Sequence, residues 1–95
     1  MIESEKKLEA NLRDRIRNIG GLALKIPATH HAGIPDRLCL LQGGLAFFVE
    51  VKTTGEKPRL LQKASHETLR RLGFAVYVID TTKKLNDLIE KYTPC

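Results

Sequence analysis

Cysteine, aromatic side chains and long apolar runs are all scarce in this chain. Its 95 residues include two cysteines, Cys39 inside an apolar run and Cys95 at the end. That is not a disulfide framework, nor zinc-ligand spacing, and a reducing cytoplasm is the simplest compartment. No segment approaches the roughly 20 apolar residues that span a bilayer. The opening MIESEKKLEANLRDR has no signal-peptide core, so no membrane partner is expected. Aromatic residues make up 5%, which offers no stacking platform for single-stranded nucleic acid. Repeats and low-complexity segments are missing too.

What is present reads as one small domain over residues 1–95. Hydrophobic residues at 42% and charged residues at 28% are ordinary globular values, which excludes whole-chain disorder. The net charge of +5 favours a polyanionic partner, nucleic acid first. A domain this size buries a limited share of its surface, so a partner subunit would help it.

Leu8, Leu12, Ile16 and Ile19 recur at helical spacing and predict a helix over 3–19, with Ser4 as N-cap and Gly20-Gly21 as its end. Residues 22–26 form a short strand stopped by Pro27. Pro27, Gly33 and Pro35 mark 27–35 as a loop. Residues 36–42 and 45–52 read as a hairpin joined through Gly43-Gly44. Pro58 suits the first turn of a helix running to about Leu72, with Leu61, Ala64, Thr68 and Leu72 near one face. FAVYVI, 74–79, reads as a buried strand. A last helix spans 82–91, capped by Thr81 or Thr82. The order α-β-β-β-α-β-α is an α/β fold, a mixed sheet flanked by helices.

The chemistry-bearing stretch is GIPDR, 33–37, followed by FVEVK, 48–52. Side chains alternate along a strand, so Glu50 and Lys52 share a face inside an otherwise apolar segment. Burying such charges alone is costly, but together they offset each other. Asp36 starts the neighbouring strand, and its reach depends on the turn. A two-residue Gly43-Gly44 turn sets Asp36 opposite Val51, pointing away from Glu50. A three-residue loop, Gln42-Gly43-Gly44, pairs residues whose numbers sum to 86 and sets Asp36 opposite Glu50, with Cβ atoms roughly 5 Å apart. The expected register is this second one, or an equivalent bulge, with glycine supplying left-handed backbone. Two close carboxylates favour a hard divalent cation, Mg2+ or Mn2+. The backbone carbonyl of Val51 can add an oxygen, and Lys52 can orient water or stabilise developing charge.

This pattern resembles the PD-(D/E)xK nuclease superfamily, with Pro35-Asp36 followed by Glu50-Val51-Lys52. More narrowly, EKKLEANL, GGLALK, GIPDRL, GGLAFFVEVK, LLQKASHETLRRLGF and VYVID, in that order, make the chain similar to a stand-alone VRR-NUC domain. The resemblance implies a restriction-endonuclease-like core and metal-dependent phosphodiester hydrolysis. Its site residues carry over as Glu9, Asp36, Glu50, Lys52 and Gln62, with Glu5 competing with Glu9 as the helical metal ligand. Lys25 falls where the family places a basic residue near the site, and Arg37, Lys57, Arg59 and Lys63 are candidate DNA contacts beside it. The implied activity is a structure-specific DNA endonuclease on branched or nicked DNA, such as Holliday junctions or flaps. The implied assembly is a homodimer, in the cytoplasm of a bacterial or phage-infected cell. His30 and His31 in PATHHAG depart from the family's small or basic residues there. The rival readings are a non-catalytic DNA-binding module and a nuclease subunit of a larger DNA-processing complex.

Overall fold

Apolar spacing of three and four residues sets the first helix, α1 (Glu5–Asn18), which buries Leu8, Leu12 and Ile16. The Ser4 hydroxyl caps it by accepting the Lys7 N–H at 3.2 Å. In the computed structural model, which describes residues 2–27, 29 and 31–94, there follow β1 (Leu22–Lys25), β2 (Arg37–Leu41), β3 (Leu45–Val51), α2 (Leu60–Arg71), β4 (Ala75–Ile79) and α3 (Thr82–Tyr92). Thr81 caps α3 through the Lys84 N–H. The fold is the expected α-β-β-β-α-β-α arrangement of a restriction-endonuclease-like core. Its elements fall within a residue or two of the bounds read from sequence, α3 running one residue further, to Tyr92.

The four strands form one mixed sheet in the order β1-β2-β3-β4. β1, β2 and β3 pair antiparallel, while β4 joins β3 in parallel after the α2 crossover. A parallel neighbour requires such a crossover, because a tight turn can only reverse the chain. FAVYVI therefore lies at a sheet edge, only partly buried. Val76 and Ile79 are covered, whereas Ala75, Tyr77 and Val78 are partly exposed.

The sheet has two unlike faces. On one, Cys39, Phe47, Val49, Val51 and Ile79 pack against Leu8, Leu12 and Ile16 of α1 and Leu85, Leu88 and Ile89 of α3. This is the hydrophobic core. On the other, period-two alternation turns Glu50 toward α2. Here the structure corrects the reading of α2. Leu61 and Leu72 are 59% and 68% exposed, and Ala64 and Thr68 face solvent as well. Ser65 and His66 are buried instead, with Gln62 and Leu69 partly covered. The charged Glu50 needs polar partners, and the Gln62–His66 side of the helix supplies them. Pro58 also falls outside the helix. The chain enters α2 at Arg59, whose N–H donates to Gln62 Oε1 at 2.9 Å. A side-chain cap of this kind starts the helix two residues after the proline.

The β2–β3 turn is a short 3-10 segment, Gln42–Gly44, with Gly43 at φ 82° and Gly44 at φ 77°. Both lie in the left-handed region, and a Cβ on either would meet nothing. The requirement is therefore conformational alone. Gly43→Ala should cost about 1 kcal/mol and lower Tm by roughly 4–8 °C, without moving the distant strand ends. Thermal denaturation by circular dichroism checks this, and an unchanged Tm would contradict it.

Candidate active site

The three-residue turn sets the register on which the site depends. Arg37 pairs Val49, Leu38 pairs Phe48 and Leu41 pairs Leu45, so residue numbers across the hairpin sum to 86. Continued one step past β2, Asp36 stands beside Glu50. Its Oδ2 accepts the Val51 N–H at 2.8 Å, which fixes the aspartate against the end of β3. Lys52 leaves the strand with its N–H donating to the Ile79 carbonyl at 2.9 Å. The Thr54 hydroxyl then ties the following loop down: it accepts the Glu3 N–H and donates to the Asp80 carbonyl, each at 2.8 Å. Glu3 is itself held by the Thr82 N–H and hydroxyl. The backbone that carries Lys52 is thus clamped to the chain's start and to α3.

Glu50 is 1% exposed and Lys52 7%. Lys52 Nζ lies 3.3 Å from Glu50 Oε2. The same oxygen accepts Gln62 Nε2 at 3.0 Å. Gln62 therefore spends both ends of its amide, its oxygen on the helix cap and its nitrogen on the glutamate. This double use fixes which way the amide points. Glu50 Oε1 is buried and has no hydrogen-bond partner among the described residues. Beside Asp36 is a cleft of about 450 Å3, lined by Gly33, Ile34, Arg59, Leu61 and Gln62. Gly33, at φ 77°, sits against the backbone of Leu61 and Gln62, and a Cβ there would collide with the Leu61 carbonyl. Only glycine lets the loop close on the start of α2.

The electrostatics are strained in one direction. Burial, and then the neighbouring Asp36 carboxylate, push the Glu50 carboxyl from 4.5 up to about 7, against the opposing pull of Lys52. Asp36 is raised by burial, partly offset by its bond from Val51. Glu5 is raised by burial and by Asp36. A buried Glu–Lys pair is weak evidence for stability, since well-packed apolar residues often serve as well or better. Perturbed carboxylates at the edge of a cleft are instead characteristic of functional sites. No three His, Cys, Asp or Glu side chains gather into a metal-ready group among the described residues. The carboxylates of Asp36 and Glu50 are the hard oxygen donors at hand. The open Oε1 of Glu50 and the charge they accumulate fit a divalent cation completed by water and phosphate oxygens.

The other candidates from sequence divide. Glu9 accepts from Arg37 Nε at 3.0 Å and lies 3.8 Å from Lys25 Nζ. Arg37 is buried and also donates to the Ala23 carbonyl at 2.9 Å, so its guanidinium is committed inside the fold. Lys25 remains largely exposed and acts on Asp36 through space. Glu5 forms no ion pair among the described residues and lies in the field of both Asp36 and Glu50. Arg59 lines the Asp36 cleft. Lys57 is exposed in the loop before α2. Lys63 lies on the far flank of α2 with Arg70 and Arg71, in a cleft of about 640 Å3. His31 is exposed, and His30 falls outside the described residues. One buried residue was missed: His66, 2% exposed, with Nε2 3.8 Å from Glu50 Oε1. Its i+4 spacing from Gln62 was the available signal.

An α/β core with an aspartate at the start of one strand and Glu-x-Lys at the end of its neighbour has the pattern of the restriction-endonuclease-like nucleases. Comparison with known proteins narrows the class. The protein named "Putative nuclease p44", from Acyrthosiphon pisum secondary endosymbiont phage 1, is 42% identical over 77 residues, covering 81% of this chain and 83% of that protein. A solved structure described as a VRR_NUC domain superposes with a TM-score of 0.86 at 35% identity, covering 93% of this chain and 96% of the other. No family model matches the chain. The chain belongs to the VRR-NUC family of nucleases.

The raised Glu50 carboxyl has a thermodynamic signature. Between pH 4.5 and about 7 the folded chain keeps a proton that the unfolded chain has released. Stability therefore falls as pH rises through that window and stays lower above it. Glu50→Gln removes this loss. In EDTA the stability of the variant relative to wild type should therefore rise by about 1–3 kcal/mol between pH 4.5 and about 7, on top of a pH-independent offset from the Lys52 charge left without its carboxylate. A difference that does not change with pH would contradict the assignment.

Proposed function

We propose that this chain is a Mg2+- or Mn2+-dependent deoxyribonuclease that cuts phosphodiester bonds in branched or nicked DNA, acting as a homodimer. The observation that carries the chemistry is that Asp36, which lines the cleft and is bonded to the Val51 N–H, acts directly on Glu50, whose Oε2 meets Lys52 while its buried Oε1 is left open. Asp36 and Glu50, with the Val51 carbonyl and a carboxylate of α1, would hold the divalent cation, which when bound would supply Lewis acidity toward a phosphoryl oxygen and lower the pKa of water. Glu5 is the α1 carboxylate best placed for this, because Glu9 is held by Arg37 and Lys25.

The chain's own groups do the rest. Lys52 Nζ orients the attacking water and stabilises negative charge as it develops on the phosphoryl oxygens. Water oxygen bonds to phosphorus as it gives up a proton to solvent, the bond from phosphorus to the leaving sugar oxygen breaks, and that oxygen takes up a proton from a solvent water. Gln62 holds Glu50 in place from α2. Lys25, Lys57 and Arg59 grip phosphates on the cleft side, and Lys63 on the far flank. Arg37 serves through Glu9 rather than through DNA, being buried. A pure binding module has no use for a buried and a half-buried carboxylate beside a polyanion.

The dimer is supported by the α2-facing side of the sheet. Leu22 and Leu24 pair with Leu40 and Leu38 across β1 and β2, yet remain 54% and 45% exposed. An apolar strip of this kind is what one subunit presents to another. A two-fold pair would also bring two cleavage sites to one branched duplex.

Cleavage assays on four-way junctions, flaps, nicked and linear duplexes, with Mg2+, Mn2+ or EDTA, test the activity. Metal-dependent cutting of the branched forms is expected, and Lys52→Ala should slow it by about 10²–10³. A Lys52→Ala variant as fast as wild type would refute the role. Light scattering should give twice the 10.7 kDa chain mass, and Leu24→Glu should reduce it to one chain. A wild-type monomer would contradict the assembly.

A further inference from the structure

Among the described residues, two buried polar atoms without a hydrogen-bond partner lie together: Glu50 Oε1 and His66 Nε2, 3.8 Å apart. That separation is too long for a hydrogen bond and too short to be unrelated. A buried donor or acceptor left unsatisfied is costly, so two facing each other call for a use. His66 projects from α2 one turn after Gln62. The two side chains thus reach the same carboxylate from one helix face, Gln62 at Oε2 and His66 toward Oε1. Lys52 joins at Oε2. With one carboxylate oxygen doubly bonded and the other free, Glu50 is braced on one side only.

We propose that His66 is a positioning residue for the reaction, donating its Nε2–H to Glu50 Oε1 when that carboxylate carries the metal. The inference rests on the metal-nuclease reading above and adds a residue to it. A carboxylate oxygen has two lone pairs, so Oε1 can accept from the imidazole and bind a cation at once. Hydrogen bonds around a catalytic carboxylate are commonly long in the unloaded protein and tighten in the loaded one. Closing the gap takes under an ångström of side-chain movement. His66 does not touch substrate; it sets the direction in which Glu50 presents its oxygen. Partners of this kind typically alter metal affinity by about 10–100-fold when removed. Leucine at this position would keep much of the volume and lose the donor. Glutamine can place an amide N–H near the same point.

The test has two arms. In the first, Mg2+ and Mn2+ titrations follow the thermal shift of wild type, His66→Leu and His66→Gln, with cleavage measured in parallel. His66→Leu should need about 10–100-fold more metal for the half-maximal shift, and His66→Gln should recover most of that loss. Equal midpoints for wild type and His66→Leu, or glutamine as weak as leucine, would overturn the role of His66 while leaving the nuclease reading standing. A wild type with neither a metal-dependent shift nor cleavage would remove both. In the second arm, imidazole 15N spectra of wild type need no variant to fold. Nε2 should bear the proton, and its resonance should move, on adding Mg2+. An Nε2 that stays unprotonated, or is insensitive to metal, would overturn the proposal.

Discussion

A carboxylate that is 1% exposed has to be neutralised by a proton, a cationic side chain or a metal, and much of this molecule is arranged around that demand at Glu50. Lys52 and Gln62 meet one of its oxygens. Asp36 stands close enough to push its proton affinity upward. The division of the sheet into two faces makes the arrangement affordable. Phe47, Val49 and Val51 fill the core with α1 and α3, so the alternate positions of the same strand are free to be polar. An apolar core on one side and a charged centre on the other come from a single seven-residue strand.

The same demand explains why α2 sits as it does. An amphipathic helix normally turns its apolar stripe inward. Here Leu60, Leu61 and Leu72 stay in solvent while Gln62, Ser65 and His66 face the sheet. The positions of α2 that face Glu50 are taken by groups that can hydrogen-bond to a buried carboxylate. On the other helix, Glu9, Arg37 and Lys25 form a separate network that joins α1 to β1 and β2. It keeps a buried guanidinium paired and leaves Glu5, one turn earlier, in the field of the centre.

Much of this was legible in the sequence, for physical reasons. Leu8, Leu12 and Ile16 sit at helical spacing, and their burial follows. Gly43 and Gly44 can take left-handed backbone, so a three-residue turn was available, and that turn alone brings Asp36 to Glu50. Alternation put Glu50 and Lys52 on one face. Other features depend on distant partners and carry no local signal. Arg37 reads as a surface cation until Glu9, 28 residues earlier, is seen to face it. The stripe Leu61, Ala64, Thr68, Leu72 reads as a buried face until the polar need beneath α2 is known. FAVYVI has the composition of a central strand, but composition does not say that no further strand will pair beyond it.

The central claim is that Asp36 and Glu50 share one divalent ion. Anomalous diffraction from crystals soaked in Mn2+ tests it most directly. The account predicts a single strong peak about 2.1 Å from a carboxylate oxygen of each residue. A peak bound elsewhere, or one that touches only one of the two carboxylates, would contradict it.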